Sequence, residues 1–223
     1  MSTQRVGVDQ LDAAIAGATP TLDVREQRLA LTVYRRLASG WPVTTRAAAT
    51  EVGEPDRAVE HTLRSWPGVF RDDAGAIIAF WGLSLYEMPH RLRLADATLF
   101  AWCAWDPLFL AAIVGPMHVA TDDPTTGDTI GYHIDRAGAI SDLTHPAAAL
   151  SFLRPDRPWD DTIVTSFCHY VRMFRDVDAA QRWTTVNEGT FVISVADAVD
   201  LAQRHMQRSF DRTLAGGRRR SAE

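Results

Sequence analysis

The stretch MHVATDDPTTGDTIGYHIDRAGAISDL, residues 117–143, decides the fold class. Its Asp-Asp-Pro and Thr-Gly-Asp segments are turn chemistry: short side-chain oxygens that bond the local backbone, a proline that fixes φ, and a glycine free to take positive φ. The β-rich runs on either side therefore read as strands joined by hairpins. Downstream, AALSFLRP (148–155) and FVISV (191–195) are further strand candidates, and TSFCHYVRMF (165–174) is apolar or aromatic on both parities, which predicts a strand covered on both faces. DVDAAQRWTTVNEG (176–189) predicts a helix closed at Gly189. Ser194 and Asp197 form an S-x-x-D cap opening the last helix, ADAVDLAQRHMQRSF (196–210). Hairpins followed by helices give an α+β fold with a mainly antiparallel sheet flanked by helices.

Upstream, LSLYEMPHRLRL (83–94) reads as one or two strands broken at Pro89, and ADATLFAWCAW (95–105) as a helix with Asp96 at its cap. The first 82 residues have another character. Leu29, Val33 and Leu37 recur at helical spacing before Gly40, and TTRAAATEVG (44–53) is a short helix capped by Thr44 or Thr45. Pro55 opens a third helix with Ala58, Val59, Thr62 and Leu63 on one face, and VFRDDAGAIIAFW (69–81) predicts a hairpin. Three small helices and a hairpin make a winged-helix-like module over residues 1–82, followed by an α+β domain over 83–223 that ends in the tail GGRRRSAE, expected to be frayed. In the third helix Arg57 and Arg64 are offset by Glu54, Asp56 and Glu60, a poor surface for DNA.

The formal charge of −5 and pI of about 5.8 point the same way, and no nucleic-acid partner is expected. No apolar run is long enough to span a membrane and the start lacks a signal-peptide core, so a cytoplasmic location is expected. There is no G-x-G-x-x-G, Walker loop, H-E-x-x-H or G-x-S-x-G. The seven histidines show no ligand spacing, although His118 and His133 could face each other across a hairpin.

Chemistry concentrates in LFAWCAWDPLFL (99–110), where Cys103 and Asp106 interrupt an apolar run, with Cys168 the only other cysteine. In a helix, positions i and i+3 share a face. A carboxylate beside a thiol in low dielectric does not lower the thiol pKa, because two anions repel; one shared proton results, which suits a soft nucleophile with an acid next to it. Thiolates select soft metals, and a second thiol from another element could complete a two-sulfur clamp. From spacing alone a bland reading is preferred: free cysteine is often a small buried hydrophobe, and Asp106 before Pro107 can simply open a helix. Composition by itself does not decide between them.

The run GLSLYEMPHRLRLADATLFAWCAWDPLFLAAIVG (82–115) followed by SFCHYVRMF (166–174) resembles the organomercurial (alkylmercury) lyases, in which a Trp-Cys-Ala-x-Asp motif and a Phe-Cys segment some sixty residues on supply two cysteines and an aspartate. Gly40-Trp41-Pro42-Val43 and the Ser194-Val195-x-x-Ala198 region also match. The resemblance implies that Cys103, Asp106 and Cys168 are catalytic and hold mercury as substrate and product. It implies cleavage of the carbon–mercury bond by protonolysis in mercury detoxification, with no organic cofactor and with mercuric reductase as a possible Hg(II) acceptor. Phe100, Trp102 and Phe167 are candidates to wall the substrate pocket from water. Two departures stand out: the further cysteine of many family members is missing, His169 standing beside Cys168, and Arg172 occupies a position where a less charged residue is expected. The rival reading is a winged-helix regulator whose thiols bind Hg(II) or another soft ion without turnover.

Overall fold

The computed structural model describes residues 7–220. Four helices open the chain: α1 (Val8–Ala18), α2 (Val24–Leu37), α3 (Thr45–Val52) and α4 (Asp56–Ser65). A capping box starts α2, with Asp23 Oδ1 accepting from the Glu26 amide at 2.8 Å and Glu26 Oε2 accepting from the Asp23 amide at 2.9 Å. Its inner stripe buries Leu29, Val33 and Leu37 together with Tyr34. Thr44 caps α3, and Gly53, at φ +73°, ends it in the left-handed conformation that favours glycine. Pro55 is the N-cap of α4 rather than a residue of its first turn, and the helix buries Val59 and Leu63 but leaves Ala58 exposed. The sequence reading has no counterpart of α1. It packs Leu11 and Ile15 into the core against the last helix, α8 (Val195–Arg220), and ion pairs from Arg204 to Asp9 and Arg208 to Asp12 tie the two together.

The hairpin of β1 (Val69–Arg71) and β2 (Ile77–Phe80) forms as read. It is also one edge of a larger sheet. With β3 (Leu83–Ser84), β4 (His90–Arg93), β5 (Thr98–Ala101), β6 (Met117–Asp122), β7 (Thr129–Ile134) and β8 (Ile140–Ser141) it makes eight strands in the order β1-β2-β3-β5-β4-β6-β7-β8, every pair antiparallel. Because β2 pairs with β3, the sheet runs on past residue 82. The β6–β7 turn is built by Asp123, whose Oδ1 accepts from the Thr125 and Thr126 amides while its Oδ2 accepts from the Arg175 amide. That last bond links the large sheet to a three-stranded sheet, β10 (Met173–Phe174), β9 (Ala149–Leu153) and β11 (Thr190–Ser194), in the order β10-β9-β11. Ser194 and Asp197 cap α8 as expected, with the Asp197 amide donating to Ser194 Oγ at 3.0 Å.

Two segments differ from expectation, and both carry a candidate cysteine. Residues 95–105 are not a helix. Thr98–Ala101 is strand β5, with Leu99 and Ala101 buried and Thr98 exposed, and Asp96 sits in the tight turn closed by the Leu94 amide bonding the Ala97 carbonyl at 2.9 Å. The helix α5 begins only at Asp106 and runs to Val114, buried nearly all round. Residues 165–174 are not a continuous strand either. A short helix α6 (Ile163–Ser166) leads through Phe167, at φ −134° and ψ −59°, into one 3-10 turn over Cys168–Tyr170, and only Met173 and Phe174 pair with β9. The segment is apolar on both parities because a loop, with Thr165 and His169 exposed, turns Phe167, Cys168, Val171, Met173 and Phe174 inward, not because it is a central strand. The helix α7 (Val177–Val186) follows, capped by Asp176. Arg218, Arg219 and Arg220 of the arginine tail lie within α8, and residues 221–223 lie outside the described residues. Among the described residues no helix is long and apolar enough to cross a membrane.

Candidate active site

Cys103 sits in the bend between β5 and α5, Asp106 is the first residue of α5, and Cys168 opens the 3-10 turn. The two cysteine segments are sewn together by the Ala104 amide, which donates to the Val171 carbonyl at 3.0 Å, while Val171 bonds back to the Cys168 carbonyl. One thiol sulfur, one carboxylate oxygen and the second sulfur then lie within 4.8 Å of one another, the only such group of three found among the described residues. All three residues are buried and neither cysteine is bridged. The helical i, i+3 argument reaches the right pair by a different geometry: a bend folds the carboxylate back, and Asp106 Oδ2 accepts from the Cys103 backbone amide at 2.7 Å.

Burial governs the electrostatics. It pushes the Asp106 carboxyl up to about 7, against hydrogen bonds from the Cys103 backbone, the Cys103 thiol and the Trp102 backbone that favour the charged form. Burial likewise pushes both thiols above their ordinary range, with each other and Asp106 as the next influences. Asp106 is therefore divided between acid and carboxylate near neutral pH while the thiols keep their protons, the shared-proton arrangement expected of these groups. Tyr132, fully buried, has its hydroxyl held neutral by burial and then by the charges of Cys103 and Asp106.

Behind Asp106 the backbone is held in an uncommon shape. Trp81 has φ +37° and Gly82 φ +95°. The Trp81 conformation is pinned from both sides: its carbonyl accepts from the Tyr34 hydroxyl at 2.8 Å and its indole N–H donates to the Pro67 carbonyl at 2.7 Å. The reason for a glycine next to it is space. A Cβ on Gly82 would lie 2.6 Å from the Asp106 Cγ, so Gly82 is the floor on which the carboxylate rests.

A narrow cavity of about 70 Å³ opens onto Asp106 and Cys168. That is several times the roughly 10–15 Å³ one water needs, enough for a small apolar group. Trp102 and Phe167 line it, together with Trp105, Phe109, Trp159 and His205; the N-terminal helices and hairpin add Leu22, Tyr34, Trp81 and Gly82. Phe100 does not line it: on β5 it alternates with the buried Leu99 and Ala101, and its side chain belongs to the other face of the sheet. The His205 ring packs on Trp105 and Phe109 at 5.3 and 5.1 Å between centroids, and burial holds its pKa down at about 4, so it joins the wall as a neutral ring. Sequence reasoning misses Tyr34, Trp81, Gly82, Trp159 and His205, because they come from four separate stretches of the chain and carry no local pattern; the hydrogen-bonded Tyr34 and Trp81 alone are 47 residues apart. His118 and His133 do face each other across β6–β7, with rings 4.9 Å apart and Asp142 Oδ2 3.3 Å from His133 Nδ1, but away from this cavity and in no metal-binding group of three among the described residues.

Two soft sulfur donors converging with an acid poised near neutrality, under an aromatic wall that keeps water out, are equipped to seize a soft metal and protonate what is bonded to it, which is the chemistry of a thiol-dependent lyase. The model of the alkylmercury lyase family matches residues 83–207. An alkylmercury lyase of Staphylococcus epidermidis is 31% identical over 78% of this chain and 79% of its own length, one of Bacillus cereus 32% over 77% of each, and one of Pseudomonas putida 31% over 78% and 80%. A crystal structure described as the mercury-bound form of MerB2 shares the fold, with a TM-score of 0.71 over 90% of this chain and 98% of that one at 18% identity. The chain belongs to the alkylmercury lyase family. Membership decides between enzyme and regulator in favour of the enzyme.

Proposed function

We propose that Cys103 and Cys168 take the mercury, and Asp106 moves the protons, in the carbon–mercury cleavage this lyase performs. The observation that carries the reading is the convergence of the three ligand atoms within 4.8 Å in a buried site. In a substrate R–Hg–X, the organic group R fits the aromatic cavity, where Trp102 and Phe167 exclude water. The Asp106 carboxylate accepts a thiol proton as one cysteine sulfur displaces X⁻ from mercury. The first proton leaves with X⁻ as HX; the second thiol then binds and passes its own proton to Asp106, adding electron density to mercury and weakening its bond to carbon. Asp106, now protonated, gives its proton to that carbon, and the electron pair of the carbon–mercury bond forms the new C–H bond. The balance is R–Hg–X plus two thiols giving R–H, mercury held by two sulfurs, and HX.

Residues 83–223 contain all three reacting side chains, and residues between Thr19 and Gly82 complete the wall of the cavity. The Hg(II) left on two buried sulfurs is released by exchange with thiols of the cytoplasm or of mercuric reductase. Two unbridged cysteines suit that reducing compartment.

The reading is tested by incubating the protein with a phenylmercury salt and excess thiol and assaying benzene by gas chromatography beside a Cys168→Ser control. Benzene from the wild type alone is expected; equal benzene from the control removes Cys168 from the reaction. Gly82→Ala addresses Asp106 indirectly. With a methyl group 2.6 Å from the Asp106 Cγ the carboxyl must move, and a displacement of about 1 Å at a reacting group costs roughly 10²-fold in kcat. An unchanged kcat in this variant would mean that the position of the carboxyl does not matter.

A further inference from the structure

Outside the aromatic cavity, three polar residues meet without satisfying one another. His90 is fully buried and neither ring nitrogen has a hydrogen-bond partner within the protein; Thr121 is 3% exposed and its hydroxyl is likewise unpartnered. The two are direct partners across β4 and β6, so their side chains stand side by side on one face of the sheet. Arg172 approaches from the loop before β10, fixed through its backbone, whose amide donates to Ser151 Oγ at 3.0 Å and whose carbonyl accepts from the Ser151 amide at 2.9 Å. Its Nε is sealed from solvent with no partner. Of the six buried side-chain nitrogen and oxygen atoms left unpartnered among the described residues, four belong to these three residues.

The chemistry of the cluster is one-sided. A guanidinium offers only donors, a threonine hydroxyl and a neutral imidazole each offer one more, and no carboxylate among the described residues forms an ion pair with Arg172. His90 pairs with Ala101, two residues before Cys103, the Ala104 amide donates at 3.0 Å to the carbonyl of Val171, which precedes Arg172, and β10 packs against β6, so the three residues lie around the Cys103 end of the site. A sealed donor with no partner in the protein is met by water or by an anion, and the guanidinium charge with no carboxylate beside it favours the anion. Cross-strand neighbours have Cβ atoms about 5 Å apart, which suits one atom bridging both side chains and the guanidinium.

We propose that His90, Thr121 and Arg172 form a binding site for a monatomic halide next to Cys103. The site stands apart from the reaction. An organomercury halide sheds the same anion when a sulfur replaces it on mercury, so the leaving group has a place to go; that use rests on the reading above.

The test needs no mercury, so it can fail independently of the lyase reading. Thermal unfolding is followed in sodium bromide and in sodium gluconate at equal ionic strength. Binding to the folded state alone predicts a melting temperature higher by about 5 °C at a hundredfold excess of bromide over its Kd. The rise is expected to vanish in Arg172→Met and in Thr121→Val, the second being the same shape without the hydroxyl and serving alone if the first does not fold. In crystals grown with bromide, the anomalous signal is expected within hydrogen-bond reach of all three residues. Equal melting in both salts, a rise that survives Thr121→Val, or a water there with no anomalous signal overturns the site.

Discussion

Cys103→Ser is expected to lose turnover by at least about 10³-fold while the protein folds normally. The substitution exchanges a soft sulfur for a hard oxygen at the centre of the buried cluster, and a serine hydroxyl neither ionises near neutral pH nor ranks as a ligand for mercury. The fold has little reason to respond: Cys103 is fully buried, but its backbone contacts, the amide to Asp106 and the bend into α5, do not involve the side chain. Two readouts separate chemistry from binding. Benzene formed from phenylmercury in a single turnover should fall to the uncatalysed level. Mercury retained per protein after gel filtration should also fall, because one sulfur no longer closes the pair with Cys168. The Cys103→Ser/Cys168→Ser double variant should be scarcely worse than either single one, since residues that act as a unit do not add. Full turnover by Cys103→Ser would leave mercury without its clamp and sink the proposed mechanism.

What the sequence makes legible follows how local each determinant is. The helices α2 and α3 and the hairpin β1–β2 are set by caps and turns a few residues long, at Asp23, Thr44 and the Asp72–Gly75 turn, and these are readable one stretch at a time. The β6–β7 hairpin is readable for the same reason, through Asp123 and Gly127. Residues 95–105 defeat that approach. Leu99, Ala101 and Cys103 share the parity of a strand that ends in a bend, and in so short a run the spacing is equally open to a helical reading with Asp96 as its cap. Cys168 is misread for a related reason: a loop that buries Phe167, Cys168, Val171, Met173 and Phe174 carries the same apolar residues as a central strand. The three candidate reactive groups can be named from the resemblance alone, but the floor under Asp106 cannot. Gly82 shows its purpose only once Asp106 has been folded to within 2.6 Å of where its Cβ would be. Arg172 is the converse case, an odd residue in sequence whose surroundings, His90 and Thr121, come from strands more than 50 residues upstream.

Asp106→Asn is expected to separate activity from stability in opposite directions. Asparagine keeps an oxygen for the Cys103 amide but cannot carry a proton from sulfur to carbon, and loss of a general acid–base costs roughly 10²–10⁴-fold. In the wild type, kcat/KM should rise with pH through an inflection near 7, because the carboxylate form must be present to receive the first thiol proton; the variant should lack that inflection. Stability follows from the same shift. The folded-state pKa of Asp106 lies above its ordinary value of 3.8, at about 7, so the folded protein holds this proton more tightly than the unfolded chain does. The stabilisation this provides is complete below pH 3.8 and is lost as pH rises through about 7. The shift corresponds to about 4 kcal/mol. Asparagine does not titrate, so the stability of Asp106→Asn relative to the wild type should improve by that amount between pH 3 and pH 8. A buried N–H₂ left unpaired by the amide costs a constant of about 1–3 kcal/mol, which offsets the whole curve and leaves its slope unchanged. Urea unfolding of both proteins across that range measures the slope directly. Parallel curves would mean that Asp106 is already ionised at ordinary carboxylate pH, and it could then not hold the proton that the carbon–mercury bond needs.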